Sequence, residues 1–118
     1  MKLSEHFDSS EFECHCGKCA MPAIDSDLLE LLEIVRSHFG KPVGITSGYR
    51  CEAHNKAVGG AKNSQHCQGI AADITVKGIT PSVVHEFLSE ILDGRGGLGL
   101  YSGWVHVDTR ASSARWNG

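Results

Sequence analysis

Two short segments constrain this chain more than any other feature. Residues 71–76 (Ala-Ala-Asp-Ile-Thr-Val) and 104–109 (Trp-Val-His-Val-Asp-Thr) both interleave apolar and polar side chains. Side chains two apart on a strand share a face. As strands, Asp73 and Thr75 would point away from Ile74 and Val76, and Trp104, His106 and Asp108 away from Val105 and Val107. Each strand then has an apolar face for packing and a polar face carrying groups that can bind a cation. If the two strands are neighbours, Asp73 and His106 converge on one point.

The remaining elements follow from periodicity and punctuation. Leu28, Leu31, Leu32, Val35 and Phe39 recur at helical spacing and predict a helix over about 26–39. Asp25 or Ser26 can cap its start, and Gly40 with Pro42 can stop it. Residues 43–47 read as a strand. Thr80 supplies a capping hydroxyl and Pro81 a first helical position; Val84, Phe87, Leu88 and Ile91 give this second helix its apolar face, and Gly94 ends it. Residues 98–101 form another strand, and Ser102-Gly103 turns into the segment 104–109. Asp8 or Ser9 can cap a short helical turn through Phe12. The expected architecture is α+β, with helices packed on one face of a mainly antiparallel sheet and the polar site on the other. The 118 residues suffice for one domain and one core, with the cysteine-rich stretch 1–24 packed on it. Residues 48–70 are rich in Gly, Asn, Ser, Gln and His. A loop this long inside a small domain is usually either functional or disordered; residues 51–57 can form one helical turn within it.

Several function classes are disfavoured. No apolar run approaches the roughly 20 residues needed to span a bilayer, so stable membrane insertion is not expected. The first residues lack an apolar stretch resembling a signal peptide, and synthesis in the cytoplasm is expected. Formal net charge is -3, without a Lys/Arg stripe, so nucleic acid is not an expected partner. A monomer is expected.

The third member of the polar site is His66, in the loop feeding residues 71–76, where Gly69 lets the chain turn back towards the sheet. Two imidazoles and a carboxylate suit a catalytic Zn²⁺, leaving one tetrahedral position for water, whose pKa the ion lowers towards neutrality. The five cysteines cannot all pair within one chain. Cys14, Cys16 and Cys19, with Cys51, are candidates for a structural metal site or a disulfide; free thiols remain an equal alternative. Cys67, directly after His66, could suggest a thiol nucleophile, but metal-activated water accounts for the surrounding residues without it.

Three blocks in order, Ser47-Gly48-Tyr49-Arg50, Ser64-x-His66-x-x-Gly69-x-Ala71-x-Asp73-Ile74 and Trp104-Val105-His106-Val107-Asp108, resemble the zinc D-Ala-D-Ala carboxypeptidase family. That family is related in fold to other murein peptidases and to the hedgehog signalling domain. The resemblance runs from Phe7 to Trp116. It implies that His66, Asp73 and His106 are zinc ligands and that the substrate is a peptidoglycan stem peptide, cut by a carboxypeptidase or an endopeptidase. It implies that Arg50 faces the site and binds a substrate carboxylate or carbonyl, for which a guanidinium fork is well matched. Ser64 and Gln65 are expected to shape the pocket or to stabilise its loop, and Trp104 to form a pocket wall. Several relatives carry an acid three positions before the last ligand, where this chain has Gly103. Asp108 is therefore the expected general base, or else the partner that orients a ligand histidine. Compact forms of the family look like phage or prophage endolysins, made in the cytoplasm and reaching the wall through membrane lesions. The hedgehog relationship leaves a non-catalytic, zinc-containing wall-binding module as the alternative.

Overall fold

The computed structural model describes residues 1–17, 23–61 and 64–118. Helix α1 (Ser26–Phe39) starts where the Asp25 carboxylate accepts the Leu28 amide at 3.1 Å and stops at Gly40, which takes the left-handed conformation (φ 62°). Helix α3 (Pro81–Leu92) starts on Pro81; Thr80 makes no side-chain cap, contrary to expectation, and its hydroxyl meets Ser82 instead. The short helix α2 (Glu52–Ala57) and a 3-10 turn (Gln65–Gln68) order parts of the long loop. A second 3-10 turn, Ser9–Phe12, carries a capping box between Asp8 and Glu11.

The sheet has five strands: β1 (Val43–Ser47), β2 (Ala71–Val76), β3 (Gly97–Leu100), β4 (Val105–Asp108) and β5 (Ala114–Asn117), in the order β1-β2-β4-β3-β5. Strands β1 to β4 pair antiparallel, but β5 runs parallel to β3, so the sheet is mixed rather than mainly antiparallel throughout. Strand β5 escaped the sequence reading because Ala114-Arg115-Trp116-Asn117 has no apolar alternation; pairing with β3 makes it a strand. Trp104 is also corrected: β4 begins at Val105, and Trp104 lies in the preceding turn, closed by the Tyr101 amide donating to the Trp104 carbonyl at 3.0 Å.

One face of the sheet is apolar. Ala72, Ile74, Leu98, Val105 and Val107 pack against Leu28, Leu32 and Val35 of α1 and Val84 and Leu88 of α3, with Phe7 and Phe12 completing the core. Each such large side chain contributes about 1.5–3 kcal/mol when fully buried. His38 stacks on Phe87 with ring centroids 3.8 Å apart, tying the end of α1 to α3. The chain start is held by Glu33 of α1, which accepts from the Ser4 hydroxyl at 2.6 Å, the His6 amide at 2.7 Å and His6 Nδ1 at 2.6 Å.

Burial alone would raise the pKa of Glu33, but these hydrogen bonds from Ser4 and His6 outweigh it and lower it. A carboxylate with a depressed folded-state pKa stabilises above its unfolded pKa and loses that contribution as pH falls through the folded value. Glu33→Gln should therefore destabilise the protein by about 1 kcal/mol near neutrality, a drop of about 4 °C in Tm. Thermal melts of both proteins should converge as the pH is taken down towards about 3.

Candidate metal centre

Asp73 and His106 are direct cross-strand partners in the β2–β4 ladder. Alternation places both on the face opposite the core, where directly opposed side chains meet. His66 reaches them from the 3-10 turn, whose start is capped by the Ser64 hydroxyl accepting the His66 amide at 3.2 Å. Gly69 then takes φ 72°, a left-handed value suited to glycine, and turns the chain into β2. The carboxylate Oδ1 of Asp73 lies 3.2 Å from His66 Nε2 and 3.0 Å from His106 Nδ1.

The outer nitrogen of each ring fixes its tautomer. His66 Nδ1 is 2.7 Å from the Gly48 carbonyl, which only accepts, so Nδ1 carries the proton and Nε2 a lone pair. His106 Nε2 is 2.7 Å from Asp108 Oδ2, closer than Nδ1 is to Asp73, so in the neutral ring Nε2 carries the proton and Nδ1 the lone pair. Two nitrogen lone pairs and a carboxylate oxygen thus face one another in a buried place. Such a cluster is stable only with a cation between its members, either protons on the rings or a metal ion. The atoms lie within 4.8 Å of one another, and their N/N/O chemistry fits a divalent ion of zinc type.

The electrostatics agree. Burial would raise Asp73, yet when the facing nitrogens of His106 and His66 carry protons their hydrogen bonds bring its pKa down to about 2, so the carboxylate stays ionised. Burial likewise opposes charge on His106, but Asp108 and Asp73 together raise its pKa. Asp108 is fully buried. Its Oδ2 accepts from His106 Nε2 and Arg110 Nη2, both at 2.7 Å, and its Oδ1 accepts from the Gly97 amide at 2.9 Å, the Arg110 amide at 3.1 Å and Arg110 Nε at 2.9 Å. Burial pushes the Asp108 carboxyl up, but these bonds from His106 and Arg110 prevail and hold it well below the usual range.

The other expected residues are placed as follows. The Arg50 amide donates to the His66 carbonyl at 3.2 Å, while its Nε is buried without a hydrogen-bond partner and its Nη1 lies near Gly60. Ser64 caps the His66 turn, and Gln65 opens it. Trp104 stacks on Tyr101, ring centroids 4.6 Å apart. Burial pushes the Cys67 thiol up, which favours the neutral form over a nucleophilic thiolate. The sulfurs of Cys14, Cys16 and Cys51 cluster, whereas Cys19 lies outside the described residues.

Four residues of this centre are absent from the sequence reading. Arg110 clamps Asp108, and Trp116 on β5 packs its ring 4.9 Å from that of His106. Gly97 and Gly99 make room for Asp108 and Trp116. A Cβ at Gly97 would collide with the Asp108 carboxylate, and one at Gly99 would come within 2.5 Å of the Trp116 indole. The nearest sequence signal was Asp108-x-Arg110, opposite charges two apart, together with one glycine inside the predicted strand 98–101 and another just before it.

Gly97→Ala and Gly99→Ala should each destabilise the fold by about 1–3 kcal/mol and weaken metal binding. Gly103→Ala, with nothing within 4 Å of the added carbon, should stay within about 0.5 kcal/mol of the parent. Urea unfolding and metal titration of the three variants check this.

The family model for peptidase M15 matches residues 5–108. The peptidoglycan L,D-endopeptidase MepK of Escherichia coli strain K12 is 34% identical over 96 residues, covering 74% of this chain and 52% of the relative. The protein of the same name in Shigella flexneri matches with the same figures. The chain spans about half the length of the curated relatives it matches. An aligned stretch that takes in His66, Asp73, His106 and Asp108 accounts for nearly the whole sheet, and by it the chain belongs to the M15 peptidase family.

Proposed function

We propose that this domain is a zinc-dependent peptidase that cuts a peptide bond in peptidoglycan stem peptides. The observation that carries this reading is the convergence of His66 Nε2, His106 Nδ1 and Asp73 Oδ1, all presenting lone pairs to one point. The curated relatives, named as peptidoglycan L,D-endopeptidases, favour internal cleavage of the stem over removal of a terminal D-alanine. A zinc ion held by these three residues supplies a Lewis acid for the scissile carbonyl and activates water at neutral pH. Asp73 contributes the fixed negative charge. Gly48 and Asp108 hold the two imidazoles in the tautomers that leave the facing nitrogens free.

The occupancy of Asp108 supports a positioning role. Both of its oxygens already accept hydrogen bonds, and its depressed pKa makes it a poor proton carrier. Arg110 offsets its charge, so Asp108 can orient His106 without leaving an unpaired buried carboxylate. Arg50 remains the proposed anchor for a substrate carboxylate or carbonyl; its buried, unpartnered Nε is a donor in want of an acceptor.

One observation favours a second reading, a wall-binding module that retains the metal. At position 103, where the family resemblance leads to the expectation of an acid, this chain has a glycine with open space around it. Incubation of the purified protein with muropeptides, followed by mass spectrometry, separates the two. New cleavage products that vanish on chelation and return with zinc establish the peptidase; retained binding without products establishes the module.

For the peptidase, His66→Ala and Asp73→Ala should abolish turnover while the protein remains folded by circular dichroism. Asp108→Asn should lower metal affinity or activity about 10- to 100-fold, as loss of a partner to a ligand histidine does. Protons compete with metal for His106 Nδ1, because Nε2 keeps its proton throughout. The raised pKa of His106 means that zinc affinity should fall as pH drops from about 8 to about 5.5, which competition with a chromophoric chelator can measure.

A further inference from the structure

A second concentration of metal-binding atoms lies outside the His66 centre. The sulfurs of Cys14, Cys16 and Cys51 all lie within 4.8 Å of one another. Cys14 Sγ is 3.7 Å from Cys51 Sγ, and Cys51 Sγ is 3.9 Å from Cys16 Sγ. No disulfide joins Cys14 to Cys51. A disulfide would need about 2.05 Å between sulfurs. A tetrahedral ion with sulfur ligands at about 2.3 Å holds them about 3.8 Å apart, which is the spacing of Cys51 from each of the other two.

The backbone around the sulfurs is arranged for negative charge. The Cys51 amide donates to Cys14 Sγ, and the His54 amide donates to Cys51 Sγ, both at 3.4 Å. Hydrogen bonds to the charged form of a thiol favour that form. The segments that bring the sulfurs together are separately fixed. The Tyr49 amide donates to the Phe12 carbonyl at 2.9 Å, and Gly48 lies so close to the Phe12 backbone that a Cβ there would sit 2.6 Å from the Phe12 Cα. The Gly17 amide donates to the Cys14 carbonyl at 3.2 Å, turning the chain between Cys14 and Gly17.

We propose that Cys14, Cys16 and Cys51 are thiolate ligands of a second, structural zinc site, distinct from the His66 centre. On binding, the three thiols release their protons to solvent and the ion takes their place; no oxidant or reductant is involved. The site joins residues 14–16 to Cys51, and so secures the stretch 48–51. That stretch supplies the Gly48 carbonyl that sets the His66 tautomer and the Arg50 amide that holds the His66 carbonyl. The site stands independently of any catalytic activity.

The test counts metal in the full chain, purified under reducing conditions without added chelator. Elemental analysis should find two zinc ions per chain in the parent, one in the Asp73→Ala/His106→Ala variant, and one in Cys14→Ser/Cys51→Ser. With Co²⁺ in place of zinc, the Asp73→Ala/His106→Ala variant should show near-ultraviolet thiolate-to-cobalt charge-transfer absorption. In that variant, three thiols should resist a thiol reagent until a chelator is added. The proposal is overturned if the Asp73→Ala/His106→Ala variant binds neither zinc nor cobalt and all its thiols react at once, or if mass spectrometry of the parent finds a Cys14–Cys51 disulfide. Because that variant has lost the His66 centre, failure of the peptidase reading leaves the outcomes for that variant unchanged.

Discussion

Like-signed electron density is forced together at the centre of this protein, and much of the surrounding structure keeps it so. Two imidazoles facing a carboxylate could each turn a proton inward and settle as an ordinary hydrogen-bonded group. In the neutral rings the Gly48 carbonyl and the Asp108 carboxylate oppose it by claiming the proton on the far side of each ring. The rings use opposite nitrogens, Nε2 of His66 and Nδ1 of His106, because one enters from a turn and the other from a strand. The arrangement is pre-organised, so an incoming cation need not reorder the rings. Outer partners of this kind set both the orientation and the basicity of histidine ligands.

Holding Asp108 in place requires more of the chain than the centre itself. A fully buried carboxylate is costly unless paired and hydrogen-bonded. Here the opposing charge comes from Arg110 two residues on, and an amide from Gly97 across the β3–β4 ladder. Arg110 also lies over the Trp116 ring, 5.3 Å from its centroid, while that indole packs on His106 and donates to the Tyr101 hydroxyl at 2.8 Å. Asp108, Arg110, Trp116 and His106 therefore form one contiguous unit drawn from β4, its following loop and β5.

The parts legible in the sequence are those governed by short-range periodicity. Strand alternation was enough to face Asp73 and His106 the same way, and the β2–β4 register then pairs them directly. Helix α1 was legible from its leucine spacing and its caps. What escaped depends on atoms with no side-chain signature or on pairing over a distance. The Gly48 carbonyl is backbone, and nothing in the residue type shows that it will meet His66. Strand β5 has a single large apolar residue, and its extended form is a product of β3 beside it. The glycines at 97 and 99 read as weak strand formers, yet their missing side chains are the space that Asp108 and Trp116 occupy. Arg50 was legible as a motif residue, but its approach to Gly60 was not.

Strand β3 deserves a mechanical reading on those grounds. Two of its four residues are glycine, and both turn their bare side to the metal centre, so Leu98 and Leu100 alone anchor it through side chains. Glycine in a strand interior costs about 0.5–1 kcal/mol each relative to alanine, and a ribbon so lightly furnished would fray at the margin of a sheet. Flanked by β4 on one side and β5 on the other, it is hemmed in by backbone ladders along both edges. The parallel strand thus acts as a retaining rail: it keeps a nearly naked strand flat enough to serve as the floor on which the indole rests.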